Sequence, residues 1–426
     1  MAEFKFNPVK WSKNVQKTGE ILCVNNHFFI YKKSGVFERL DDFEFYRIVM
    51  ELLDTNYKER WAKEIKHCVA VDCSKRAEEI NKDKNMINIK NGMFCLEEMK
   101  RFDHNKKYLS TIQLPVEYRE DSKCPLWIKT LDEIFIGKKW KIDLLQEFMG
   151  YCLTSDISHQ KALMNVGQGA NGKSLIFRIH EKILGPQNVS SISMSGLEKN
   201  HYLAELFGKL VNLSIESETD IKINDAVFKA LVGGDSITAD EKYGKPFSFN
   251  PFCKLIFSMN TLPFVSDKTS AFYRRVLIIN YEREFSREEQ NLGLYKDLCE
   301  ELDGIFLWMI QGLQRLNKNG HFTEDKEMTD IIEDYKLDNN PPLGFIEENL
   351  SVHKINTIPK KEIYSKYTAW SKENGYKAVS DKNLTKTIRK YFTNGVVEDR
   401  TGTTRRWKGL IWKDQMEKQE VAQWEE

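Results

Sequence analysis

"ALMNVGQGANGKSLIFRI", Ala162 to Ile179, is an apolar run, two closely spaced glycines, the triplet Gly172-Lys173-Ser174, and then an apolar pattern of helical period. The order is strand, loop, helix. In that frame glycines let main-chain N–H groups wrap a polyphosphate, and the helix N-terminus adds a favourable dipole. From Gly167 the spacing fits G-x-x-x-x-G-K-[ST]. Gly167, Gly169, Asn171 and Gly172 would form the cradle, Lys173 would reach the β- and γ-phosphates, and the Ser174 hydroxyl would hold Mg²⁺. ATP and Mg²⁺ are therefore the expected cofactors. Kinases, GTPases, transporters, recombinases and helicases share such a loop, so the rest of the chain must choose among them.

Composition narrows the field. With 426 residues, 41% hydrophobic and 30% charged, the chain can bury a large core in two or three domains. Net charge is +1, so attraction to nucleic acid would have to come from uneven placement of charge. The eight cysteines are scattered; Cys68 and Cys73 are the closest pair, and no Cys/His cluster has zinc spacing. They read as reduced thiols of a cytoplasmic protein. No segment resembles a signal peptide or approaches the length of a membrane span.

The texture of the chain changes in three places. Residues 1–150 read as an α+β domain. "HFFIYKKSGVFERL" (His27–Leu40) is a hairpin around Ser34-Gly35, "FEFYRIVMELL" an amphipathic helix, and "INIKNGMFCLEEMKRF" a second hairpin turning at Asn91-Gly92. Helical patterns at "CPLWIKTLDEIF" and "DLLQEFMGYCL" lead into the phosphate loop. Residues 151–335 alternate strand and helix patterns, which predicts a largely parallel sheet with crossovers, followed by a helix over "ELDGIFLWMIQGLQRLNKNG". Residues 341–413 form a third region, with 15 Lys+Arg against 7 Asp+Glu.

Within the middle region "KLVNLSIESETD" ends in Glu216 and Glu218, carboxylates at the end of a strand that would meet Mg²⁺ and orient or deprotonate the attacking water. Glu216 takes the Walker B position as the metal-holding acid, and Glu218 could share its work. "FCKLIFSMN" ends in Asn260, placed to touch the γ-phosphate or the water. Beyond it, "AFYRRVLIINY" sets Arg274 and Arg275 ahead of another strand. Either could be an arginine finger, worth about 10³ to 10⁵ in rate. A finger lent by a neighbour requires a ring. Between them "KALVGGDSITADEKYGKPFSFNPF" reads as an inserted hairpin, with Lys242, Tyr243 and Lys245 at its tip able to grip single-stranded DNA by phosphate contact and stacking. Without the surrounding motifs, the Arg-Arg pair would be ordinary surface charge and the hairpin an ordinary solvated loop.

The succession GQGANGKS, NLSIESE, the GGD hairpin, LIFSMN and FYRRV resembles superfamily 3 helicases, in particular the poxvirus and satellite-phage primase-helicase branch. Upstream, "NMINIKNGMFCLEE", "TIQLPVEYREDSKCPLW" and "LLQEFMGYCLT" are similar to that branch's domain ahead of the motor. The resemblance implies an α/β fold, a P-loop AAA+-like parallel-sheet motor with an α+β N-terminal domain and a C-terminal winged-helix domain. It also implies a homo-hexamer moving 3′ to 5′ on single-stranded or forked DNA during replication of a phage, plasmid or other mobile element in a bacterial cytoplasm. Family members often carry a primase domain. The first 150 residues contain neither its acidic ligands nor its cysteine cluster, so a helicase served by a separate primase or polymerase is expected.

Downstream, "KKEIYSKYTAWSKENGY" and the helix rising from Ser380, followed by "GVVEDRTGTTRRWKGLIW", describe two helices and a wing. Lys382, Lys386, Arg389 and Lys390 would face the major groove of origin duplex DNA, with Arg405 and Arg406 on the wing. Two other readings stay open: a nucleotide-switched initiator that binds an origin without translocating, and a small-molecule kinase, which needs no inserted lysine hairpin.

Overall fold

The computed structural model describes residues 5–215, 222–240, 246–265, 270–401 and 404–416. The chain divides into two compact units, the first comprising Met1–Phe264 and Ser270–Met328, the second Val265–Thr269 and Thr329–Glu426.

The first unit opens with a helix, Pro8–Lys17, whose start is set by Asn7: its side chain accepts from the Lys10 N–H, and proline occupies the first turn. A three-stranded antiparallel sheet follows, Ile21–Val24, His27–Tyr31 and Phe37–Leu40. Its second hairpin turns at Gly35, as the sequence predicts. The first strand was missing from that reading; Asn25 and Asn26, at φ 50° and 64°, make the two-residue turn leading out of it. Asparagine tolerates such angles, and the pair is a primed-turn signal. The helix Asp42–Leu53 carries a full capping box between Asp41 and Glu44. It packs with Glu59–Asp72 over a core containing Val15, Phe28, Phe45, Val49 and Ile65. A second antiparallel sheet, Met86–Ile89, Gly92–Cys95 and Lys100–Phe102, turns at Lys90-Asn91, one residue before the Asn91-Gly92 expected, with Gly92 opening the next strand opposite Ile89. No side chain of its own caps the helix Pro125–Phe135. The Glu301 carboxylate does so instead, accepting from the N–H groups of Leu126 and Trp127 at 3.1 and 2.9 Å.

The centre of this unit is a five-stranded parallel sheet of Ala162–Val166, Val189–Ser190, Val211–Ile215, Lys254–Met259 and Val276–Asn280. Numbered along the chain, the strands lie in the order 5-1-4-3-2. Their near-unbroken burial is what a sheet covered on both faces demands. The few polar residues inside are paired: Asn212 accepts from the Ile192 N–H at 2.8 Å and donates to its carbonyl at 2.9 Å. The helix Leu302–Asn319 ends on Gly320 at φ 74° and crosses the helix Lys139–Tyr151 so closely that Gly312 admits no side chain against the Gln146 carbonyl. Arg315 donates to the fully buried Glu147 at 2.6 Å, and Thr323 donates to the same carboxylate. The mixed α/β class and the parallel sheet match the sequence reading.

The second unit holds helices Pro341–Asn349, Lys360–Glu373 and Asp381–Tyr391, with an antiparallel sheet in which Thr404–Trp412 lies between Leu350–Pro359 and Val397–Thr401. Ile363, Tyr367, Leu384, Ile388 and Trp407 share its core. The ten-residue strand Leu350–Pro359 escaped the sequence reading because only Leu350 and Ile358 of it are buried and its pairing is irregular between Val352 and Thr357, so no unbroken alternation marks it. Among the described residues, no helix is long and apolar enough to cross a membrane.

Candidate functional site

The phosphate loop leaves the carboxyl end of Ala162–Val166, where ligands of open α/β sheets bind. Gly167 donates its N–H to the Met259 carbonyl at 3.1 Å, tying the loop to the end of the neighbouring strand. A side chain at Gly167 would stand 2.6 Å from the Tyr281 carbonyl. Gly172 adopts φ 86° as the residue before the helix Lys173–Leu184, and its face lies against Ile134. The Asn171 side chain donates to the Gln168 carbonyl and receives the Lys173 N–H at 3.4 Å, so it braces the loop from inside.

Lys173 is 7% exposed and folds back into the loop, its ammonium donating to the carbonyls of Gly167 at 2.5 Å and Gln168 at 3.0 Å. Burial pushes its pKa below that of an ordinary lysine. Two neutral carbonyls only partly replace its hydration, so an anion entering the loop has a desolvated cation to meet. Ser174 is exposed, and its hydroxyl is open to a ligand. A cavity of about 250 Å³ is lined by Gly169, Asn171, Gly172, Lys173 and Ser174 on one side and by Ile215, Ser258, Met259 and Asn260 on the other. Five loop residues and Asn260, distant in sequence, thus line one cavity. The reason is topology: strand 4 lies beside strand 1, so their carboxyl ends are neighbours.

Glu216 and Glu218 lie outside the described residues, as do Lys242, Tyr243 and Lys245. Ile215, directly before Glu216, lines the cavity. The arms of the inserted hairpin pair as expected, Ile237 with Phe249 and Ala239 with Phe247.

Arg274 and Arg275 are not brought to this cavity. They precede strand 5, whose Val276 pairs with Ala162 and whose Asn280 pairs with Val166, so they sit at the amino end of the sheet. The loop lies roughly 16 Å away along the strands. Arg274 is exposed, and its carbonyl accepts from Lys161 at 2.7 Å. Arg275 is half-buried and donates to the Ala271 carbonyl at 2.7 Å; burial, aided by the Arg274 charge, lowers its pKa.

In the second unit Lys382, Lys386, Arg389 and Lys390 are exposed on the helix Asp381–Tyr391, and Arg405 is exposed on the sheet, with Arg406 half-buried. Arg389 is already engaged by Glu398, which also receives Lys360 at 2.5 Å. The two cations hold the Glu398 carboxyl down at about 2.

These arrangements have relatives. Residues 10–136 match the family described as D5 N terminal like, and residues 337–425 match the Poxvirus D5 protein-like family, on either side of the parallel sheet. The two flanking matches support the D5-like branch of the superfamily 3 helicases as this chain's kin. Between those segments, residues 165–275 of this D5-like chain match a family of unknown function, DUF5906, a span running from the phosphate-loop strand to Arg275. It is 23% identical over 256 residues to a protein of Acanthamoeba polyphaga mimivirus, covering 52% of the chain and 26% of the relative. A Frog virus 3 protein is 23% identical over 236 residues, covering 49% and 24%. An Invertebrate iridescent virus 3 protein is 24% identical over 245 residues, covering 49% and 26%. Each is described as a "Putative helicase". The D5-like chain spans about a quarter of the length of these relatives. Its fold resembles an apo structure of the NrS-1 C-terminal region, with a TM-score of 0.57 at 15% identity, over 95% of this chain and 100% of that one. Another apo structure of that region gives 0.56 at 14%, over 96% and 100%.

Sequence reasoning missed a second cavity, about 420 Å³, across the loop from the first. The two share Ala170, Gly172 and Leu175. Ile134, Phe285 and Leu294 supply apolar surface, and Arg178 stacks on Tyr295 at 3.7 Å. No motif marked it, because apolar positions from three distant segments look like core until the fold joins them.

Proposed function

We propose that this D5-like chain is an ATP-dependent DNA helicase motor, acting as a homo-hexamer that translocates 3′ to 5′ on single-stranded DNA and opens a replication fork of a phage or other mobile element. One observation carries the reading: Lys173 and Asn260 line one cavity at the carboxyl end of the sheet, while Arg274 is presented at the opposite end. Loop and finger then act together only when a neighbouring subunit completes the site.

The residues present suit a nucleotide triphosphate with Mg²⁺. The Lys173 ammonium, held among the described residues by main-chain carbonyls and the ring face of Tyr281, is the group a phosphate would draw from Gly167 and Gln168. Ser174 and Glu216 would hold the ion, which when bound supplies charge neutralisation across the phosphate oxygens. Asn260 would orient the attacking water, with Glu216 or Glu218 drawing off its proton, and the neighbour's arginine would stabilise charge on the phosphoryl oxygens. The second cavity would take the base. Lys242, Tyr243 and Lys245 would grip the strand, and the second unit would act as a winged helix on duplex DNA.

Strand displacement on a forked duplex tests this directly: ATP should drive release of the strand, and Lys173→Ala should abolish release and hydrolysis while leaving the fold intact. The exposed basic helix in the second unit favours one other reading, an origin-binding initiator. Such a protein hydrolyses ATP without releasing a long strand.

A further inference from the structure

We propose that a cleft in the first unit, between the N-terminal sheet and the return arm of the inserted hairpin, is a second binding groove for single-stranded nucleic acid. The inference rests on the helicase reading. The cleft has a volume of about 920 Å³. One wall is the Asn25-Asn26 turn with residues 74–84, and the other is formed by Phe207 and residues 248–252. The walls are fastened to each other: the Asn25 amide donates to the Ser248 carbonyl at 3.5 Å, and the His27 ring meets Phe247 edge-on at 5.5 Å.

The lining has the chemistry a strand needs. Lys75, Arg76, Lys82 and Lys84 face it with one carboxylate, Glu78, among its described residues. Lys75 and Lys84 are partly held, by Glu79 at 3.9 Å and Asp156 at 2.7 Å, whereas Arg76 and Lys82 are exposed. Phe207 and Phe252 are half-buried ring surfaces on which bases can stack, and the exposed Asn26 offers its amide to base edges, whereas the amides of Asn81 and Asn250 are engaged by Thr111 and Gly234. A basic groove with interleaved aromatic rings is the common form of a single-strand platform. The strand Phe247–Phe249 is the return arm of the inserted hairpin, whose residues 241–245 are proposed to grip DNA, and residues 248–252 carry that arm into the groove.

The test is anisotropy of fluorescein-labelled oligo-dT with the full chain across a salt series, in the parent and in Arg76→Ala/Lys82→Ala. The double variant should bind about tenfold more weakly, and its salt slope should be shallower by about 1.4, at about 0.7 per lost single-strand phosphate contact. Thermal midpoint and DNA-free hydrolysis should match the parent. A strand carrying 5-iododeoxyuridine should crosslink to Phe207 or Phe252. Parent-level affinity and slope in the double variant, or crosslinks confined to other sites, overturn the groove; a groove serving a mononucleotide or a protein segment would give that result. If Lys242→Ala/Lys245→Ala weakens binding while Arg76→Ala/Lys82→Ala does not, the helicase reading stands and the groove falls. If the parent binds no single strand, both fall.

Discussion

The Arg275 carbonyl accepts the Ala162 N–H at 2.8 Å, joining the second of the arginine pair to the first residue of the phosphate-loop strand, at the end of the sheet away from the loop. An arginine placed there cannot reach its own subunit's phosphates. Arg274 is the exposed member, whereas Arg275 spends its guanidinium on the Ala271 carbonyl. Arg274→Ala should therefore act in trans. Mixed into parent rings, it should lower ATPase activity more than dilution does, and a strictly proportional loss with subunits confirmed to exchange would argue for isolated sites.

The three glycines of the loop should respond differently to alanine. Gly169→Ala meets no atom within 4 Å and should leave nucleotide affinity and stability within about 0.5 kcal/mol of the parent. Gly167→Ala drives a methyl against the Tyr281 main chain, and Gly172→Ala must hold φ 86° beside Ile134. The second should cost roughly 1–2 kcal/mol, and both should weaken ATP binding tenfold or more. Calorimetric titration and thermal melts read the contrast.

Lys254 gives the first unit a pH signature. Its ammonium is buried at the start of strand 4, donating to the Thr154 carbonyl, and burial pushes its pKa down to about 8. A lysine whose native pKa lies below its unfolded value costs stability while charged. Between these values the unfolded chain binds more protons, so stability rises with pH. From pH 7 to 9 the gain should be about 1 kcal/mol. The Lys254 contribution grows up to the pKa of an unfolded lysine, while from about pH 8.5 upward the thiols of Cys152 and Cys253 oppose it, because burial holds them protonated in the native state, Cys253 at about 12, when the unfolded chain has lost those protons. Denaturant melts should therefore show the stability of the parent minus that of Lys254→Met rising by about 1 kcal/mol from pH 7 to 9, a difference in which the thiols cancel.

Glu398 restrains the basic helix. Glu398→Gln should release Arg389 and Lys360 and tighten duplex binding, while Lys382→Ala/Lys386→Ala/Lys390→Ala should weaken it and flatten the salt slope by about 0.9 per lost contact. Anisotropy on a duplex at several salt concentrations checks both. If neither variant shifts affinity or slope, the second unit serves packing and not DNA.

The sequence by itself determined the local elements and the phosphate loop, since each is a short-range pattern: glycines that must turn, a lysine and serine at fixed spacing, and apolar residues with period two or 3.6. It also placed Asn260 and the arginines at strand ends. Tertiary structure decided which ends meet. Parallel pairing of strand 4 beside strand 1 brought Asn260 to Lys173, and the direction of strand 5 sent Arg274 to the far end of the sheet. Only the fold could reveal the cleft at Arg76 and Lys82 or the cavity at Ile134 and Tyr295, whose walls come from segments far apart in the chain. Burial of Lys254 belongs with these, because a lysine in an apolar run carries no mark of its partner until the Thr154 carbonyl is folded against it.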